Sequence, residues 1–274
     1  MLPSLSSAVT GLDSFQQDMA VIGNNIANIN TNGFKAANVN FADSFSDTLQ
    51  SVSGTLQIGT GVYDQAITNN WTQGAVNATG VNTNLAISGN GFFVVQDPAN
   101  NSQYVTQDGS FSVNSSGFLV TSGGQQVLGT NNGSPTLSPI QINATGAPVT
   151  AAPGAVVSSF SINPQGQINV TLSDGTTFTR AQVMLQDFQN PQALQSQSGN
   201  LYSNQANAGP VQAAPGAPGT SDLGLIQSGY LEISNVNLST EMANLITAQR
   251  GFEANSKIVT TSDELLQTLV NMKH

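Results

Sequence analysis

Catalysis needs side chains that move protons, attack carbonyls or hold metals, and this 274-residue chain offers few of them. Cysteine is absent, and the one histidine is His274, the last residue, where a chain end gives an imidazole no fixed partner. Ser-His-Asp and Cys-His catalysis and histidine-based metal sites are thereby excluded. Two facing carboxylates would suffice for glycoside hydrolysis, and Asp97, Asp108, Asp174 and Asp187 are the candidates. Asp108 and Asp174, however, each precede a glycine at a predicted turn, where Asp serves the backbone. Gly89-Asn90-Gly91 has the look of a phosphate loop, but no G-K-[ST] follows and Phe92 to Val95 continues as a strand instead of opening a helix. No catalytic residue, cofactor or metal is expected, and the chain does not read as an enzyme.

Charge narrows the partners. Lys and Arg number 5 against 15 Asp and Glu, a net charge of −10. A phosphate backbone requires a basic footprint, so nucleic acid is not an expected partner. Charged residues make up only 7% of the chain, against about 25% in an average soluble domain; Asn, Gln, Ser, Thr and Gly fill the polar positions. No run of 18 or more apolar residues is present, and no basic start leads into an apolar core and cleavage site, so neither a membrane span nor a secretory signal is expected. Without cysteine the chain can pass between redox compartments unchanged.

The elements are legible from periodicity. Leu5, Ala8, Leu12, Phe15, Met19, Ile22, Ile26 and Ile29 alternate steps of three and four, a heptad stripe that predicts an N-terminal helix over 1–30. Leu238, Leu245, Phe252, Val259 and Leu266 recur every seven residues, widened by Met242, Ala248, Leu269 and Met272. A second long helix is predicted from Asn235 or Asn237 to about Met272. Asn235 and Asn237 suit the N-cap, Glu241 the first turn and Lys273 the last. Neither helix hides its stripe alone, so the two are expected to pair as a parallel or antiparallel coiled coil; an ordinary two-helix cap on a globular core is the alternative.

Between them the pattern changes to short alternating runs: Val62 to Ile67, Leu85 to Ile87, Phe92 to Val95, Gln167 to Leu172 and Gln182 to Phe188. Asn90-Gly91, Asp108-Gly109, Asn132-Gly133, Pro164-Gln165-Gly166 and Asp174-Gly175 supply the reversals. The expected fold class is mixed α and β: paired terminal helices around a central all-β domain rich in hairpins. Its parts are an N-terminal helix over 1–30, an outward linker over 31–56, a β domain over 57–226 and a C-terminal helical segment over 227–274. Within the β domain, 129–154 reads as a loop-rich excursion and 204–219 as a return linker. Phe34, Phe41 and Phe45 serve equally as β-domain core or as anchors against a neighbour.

Val21-Ile22-Gly23-Asn24-Asn25-Ile26-Ala27-Asn28-Ile29-Asn30-Thr31-Asn32-Gly33-Phe34-Lys35 resembles the N-terminal signature of flagellar rod and hook proteins. Leu85 to Phe93, Tyr104 to Phe111 and Gly229 to Leu269 are similar to three further blocks of that family, with Asn84 and Gln107 departing from its frequent Asp and Arg. The ending Gln249-Arg250-Gly251-Phe252-Glu253-Ala254 and the short stretch from Phe45 to Gly54 look most like a short hook protein; Leu56-Gln57-Ile58-Gly59-Thr60-Gly61-Val62 is similar to distal rod proteins, the alternative. The resemblance implies export through the flagellar type III apparatus without a cleaved signal. It further implies a homo-oligomeric helical tube with the paired helices lining its core, torque transmission to the filament, and contact with rod, hook, junction and hook-cap proteins. The residues it marks for assembly are Leu5, Leu12, Phe15, Met19, Ile22, Ile26, Asn28, Gly33, Phe34, Leu238, Met242, Leu245, Phe252, Val259, Leu266 and Leu269. A surface adhesin or carbohydrate-binding module is the reading from another class, and it leaves both heptad stripes without a purpose.

Overall fold

The computed structural model describes residues 3–44, 46–51, 54–131, 134, 136–149 and 151–272, of which the side chains of Pro3, 46–51, 54–58 and Leu269 are left aside. Phe45, the Asn132-Gly133 turn, Lys273 and His274 fall outside the described residues. The chain forms two compact units, one of the terminal helices with residues 35–70, the other of residues 30–34 and 71–235.

In the helical unit, Pro3–Ala27 and Leu238–Asn271 are single uninterrupted helices. Asn237 caps the second: its side-chain oxygen accepts from the backbone N–H of Ser239 at 3.0 Å and of Thr240 at 3.2 Å, satisfying donors that the first turn leaves open. Gly11 lies against Asn255, Gly251 against the Phe15 ring, and Asn25 against Glu241. Rising numbers in one helix meet falling numbers in the other, so the two run antiparallel.

The stretch expected as an outward linker contains strands. Ala37–Asp43 pairs antiparallel with Val62–Asn69, and Ser46–Ser51 with Gly54–Gly59. The strand Val62–Asn69 therefore belongs to this hairpin in the helical unit and not to the β domain. The alternation of Ala37, Val39 and Phe41 was masked by Asn38 and Asn40, residues disfavoured in strands by propensity. Their backbone is held instead by the ladder and by Asn25, whose side chain both donates to and accepts from the Ala37 backbone.

The β unit is built on an antiparallel sheet in the order Val157–Ile162, Gln167–Leu172, Thr177–Val183, Gln126–Asn131, Phe92–Gln96, Gln103–Thr106, Leu201–Ser203, Gln195–Gln197. Within Phe92–Gln96, residues 92–95 are apolar without a break because both faces of the sheet are covered. Phe93 and Val95 enter one core with Leu119, Ile140, Ile168 and Val183, while Phe92 and Val94 enter a second with Leu128, Phe188 and Tyr202. Gln167–Leu172 keeps the predicted alternation, with Ile168, Val170 and Leu172 buried and their neighbours half-exposed. The run expected over Gln182 to Phe188 starts earlier, at Thr177, and is interrupted after Val183. Its register slips between Ile168 and Asn169 of the partner strand, leaving Arg180 as the extra residue of a bulge.

The two segments read as loop and linker are fastened to these cores. In 129–154, Leu137–Pro139 adds a strand and Ile140 and Ile142 are buried, with Ala144, Ala147 and Ala151 packed on the first core. In 204–219, Leu185 and Gly216 exchange both backbone hydrogen bonds and Ala208 is buried in the second core. Alanine and isolated isoleucines contribute burial without periodicity, which is why composition alone reads these segments as open.

Candidate assembly interface

The C-terminal helix has one stripe for its partner and others that lie open. Glu241, Leu245, Ala248, Phe252, Asn255, Val259, Ser262 and Leu266 follow steps of four and three. Within that stripe Glu241, Ala248 and Ser262 are buried, and Val259 and Leu266 share a groove with Leu5 of the N-terminal helix. The stripe mixes apolar with polar residues, and glycines at 11 and 251 let the helices approach closely.

Of the residues expected at the assembly interface, Ile22 is buried, and Leu5, Leu12, Phe15, Met19, Ile26, Leu245, Phe252 and Val259 are half-buried along the helix pair. Leu238, Met242 and Leu266 remain exposed, and the side chain of Leu269 lies outside what is described. Asn28, just past the end of the N-terminal helix, donates back to Asn24 in its last turn, at 2.9 Å to the carbonyl and 3.0 Å to the side chain. Sequence reasoning missed Ile246, which is 59% exposed, and Ile258 and Leu265, the latter 64% exposed. Their signal is present: Leu238, Met242 and Ile246 stand at steps of four, and Ile258, Leu265 and Met272 at steps of seven.

Gly33 and Phe34 belong to the β unit. Gly33 adopts φ +66°, donates its N–H to the Glu232 carbonyl at 2.9 Å, and leaves no room for a Cβ beside the backbone of Gln107 and Asp108. Asn200 donates to the Asn32 carbonyl at 2.8 Å. The signature segment is thus clamped between two strand ends and the Asp108 turn.

The carboxylates weighed for catalysis are spent on turns. Asp108 accepts from Ser110 N–H and Oγ at 3.0 and 2.9 Å, Asp97 from Ala99 N–H at 2.9 Å, and Asp187 from Phe188 N–H at 2.8 Å. Asp174 accepts from Ala152 N–H at 2.7 Å and Thr176 N–H at 2.9 Å, and these backbone donors hold its carboxyl below the usual range. Among the described residues no group of three or more acidic, Cys or His side chains is placed to hold a metal, and no helix is long and apolar enough to cross a membrane.

A polar β unit and a helix pair with exposed apolar side chains are the features of a structural protein. Three family models make the class particular: "Flagella basal body rod protein" over residues 5–35, "Flagellar hook protein FlgE/F/G D1 domain" over 86–170 and "Flagellar basal body rod FlgEFG protein C-terminal" over 227–272. The chain is 39% identical over 282 residues to the flagellar basal-body rod protein FlgG of Bacillus subtilis (strain 168), covering 100% of each. It is 38% identical to the FlgG protein of Buchnera aphidicola subsp. Acyrthosiphon pisum, over 98% of this chain and 99% of that one. To the rod protein FlgF of Caulobacter vibrioides it is 31% identical, over 94% and 92%.

The chain belongs to the flagellar rod and hook protein family. It is a structural component of the flagellum and not an enzyme, and proteins of this family form axial assemblies with other flagellar components. Because the relatives that align from end to end carry rod names, the comparison favours the rod alternative over the short hook protein.

Proposed function

We propose that the chain is a distal rod subunit of the flagellar basal body, polymerising with copies of itself into a stiff axial tube that carries motor torque outward. The observation that carries this reading is the alignment with basal-body rod proteins, which covers 100% of this chain and 100% of the FlgG protein of Bacillus subtilis. The short hook reading rested on the C-terminal block and on a short connection over residues 45–54; within it Ser46–Ser51 is a strand paired with Gly54–Gly59, a feature that stiffens where a bare linker would bend.

The helical unit supplies the polymerisation contacts. Its helices pair as an antiparallel coiled coil through the 241–266 stripe, and the open stripes at Leu238, Met242 and Ile246 and at Ile258 and Leu265 are covered by neighbouring copies. Full burial of side chains of this size is worth about 1.5–3 kcal/mol each, enough in sum to drive association of a weakly charged surface. Junction and hook proteins, a cap at the growing end and the flagellar export apparatus are the further partners that the family reading brings.

Electron microscopy of the concentrated full-length chain tests the assignment. A rod subunit gives straight tubes of constant diameter; curved or supercoiled tubes would return the reading to the hook.

A further inference from the structure

Inside the helical unit three elements meet at one polar joint. Asn25, 0% exposed, donates to the Ala37 carbonyl at 2.8 Å and accepts from the Ala37 N–H at 3.0 Å, so one amide fastens the N-terminal helix to the hairpin. The same amide donates to Glu241 Oε2 at 3.3 Å, adding the C-terminal helix. Beside it lies a cavity of about 330 Å³ walled by Phe15, Ile22, Val39 and Phe41, to which Asp18 and Glu241 both contribute.

The charges that act on Asp18 are Glu241 of the C-terminal helix and Asp64 of the hairpin, both acidic; among the described residues the other hairpin strand lines the cavity with Ala37, Asn38, Val39 and Phe41, none of which titrates, and the buried Lys35 precedes that strand by two residues. One oxygen of Asp64 is buried without a hydrogen-bond partner, and an orphaned buried acceptor is destabilising until a donor reaches it. Carboxylates are acceptors only; a protonated carboxyl adds a donor.

We infer that Asp18, Glu241 and Asp64 form a proton-operated clasp: ionised Asp18 loosens the three-way joint by like-charge repulsion, and a proton on Asp18 closes it. Burial first, and then Glu241 and Asp64, push the Asp18 carboxyl above its ordinary value. Folding therefore takes up a proton. The stabilisation is fully present below the ordinary carboxylate value and is lost as pH rises through the raised one. The helix pair tightens on acidification, opposite to the usual behaviour of a paired carboxylate. This property belongs to the single chain and goes beyond the rod assignment.

The test is urea unfolding of the full-length chain, below the concentration at which it assembles, followed by helical circular dichroism from below the ordinary carboxylate value of 3.8 up to pH 8. For the natural sequence the midpoint of the helical signal rises as pH falls. Asp18→Asn holds the acid-side midpoint across the range, so the pH slope disappears, while Asp13→Asn, an exposed site on the same helix, keeps it. Should Asp18→Asn fail to fold, Asp64→Asn decides: it raises the neutral-pH midpoint and reduces the slope. A natural-sequence midpoint that is flat or falls on acidification, or a slope surviving undiminished in both variants, overturns the clasp. Assembly is read separately by sedimentation, so a chain that shows the slope and forms no tubes leaves the clasp standing while removing the rod reading.

Discussion

At Gly33 the chain turns through φ +66° with backbone atoms of Gln107 and Asp108 against the place a Cβ would occupy. A left-handed backbone costs a non-glycine residue about 1–2 kcal/mol, and here the methyl must also displace main chain. Gly33→Ala should lower the stability of the β unit by about 2 kcal/mol or more. Trp71, the one tryptophan, reports it: its ring makes edge contacts with Tyr202 at 5.0 Å and Phe92 at 5.3 Å, so its fluorescence follows the second core. A urea midpoint equal to that of the natural sequence would contradict the account. The signature around Gly33 is conspicuous in the sequence, but its physical reason is not, because the turn that forbids a side chain there comes from a segment more than seventy residues away.

The helices and hairpins differ in what sequence reveals of them. Apolar heptads announced both terminal helices, since Ile22, Leu245 and Phe252 carry the period in their own chemistry. The polar members of the same stripe, Asn25, Glu241 and Ser262, are buried in the structure and carry no such mark, so the joint was invisible. The hairpin over 37–69 was hidden for the converse reason: Asn38, Asn40 and Thr68 are polar residues fixed by pairing, with Asn40 donating to Thr68 Oγ1 at 3.2 Å. Asn25 is where helix and hairpin depend on each other. Asn25→Ala leaves the Ala37 N–H and carbonyl without that side chain and removes a donor from Glu241. The expected loss is about 2–3 kcal/mol, from an unsatisfied buried pair, read as a lower urea midpoint of the helical dichroism, with the Trp71 signal unmoved. Equal midpoints would mean that the joint does not hold the elements together.

At the scale of the molecule, low charge and the absence of cysteine and catalytic groups pointed to structure over chemistry before any coordinates, and membership of the rod and hook family agrees with that. The choice between rod and hook was not legible, because it turns on tube geometry that a single chain does not encode in any one motif. Which helical face stays open was not legible either: a seven-residue period marks a stripe without saying whether the chain's own second helix or a neighbouring copy covers it. In the structure Leu245 and Phe252 are half-buried while Ile246 and Leu265 are exposed.

That separation allows the central claim to be tested without disturbing the subunit. Ile246 and Leu265 are 59% and 64% exposed, so Ile246→Lys combined with Leu265→Lys should leave helical dichroism and Trp71 fluorescence as they are. The measurement is sedimentation velocity over a concentration series, with electron microscopy of the fastest fraction, for the natural sequence and this double variant. The account predicts tubes from the natural sequence and monomers of unchanged fold from the variant; tubes from both, or a natural sequence that stays monomeric at every concentration, would contradict it.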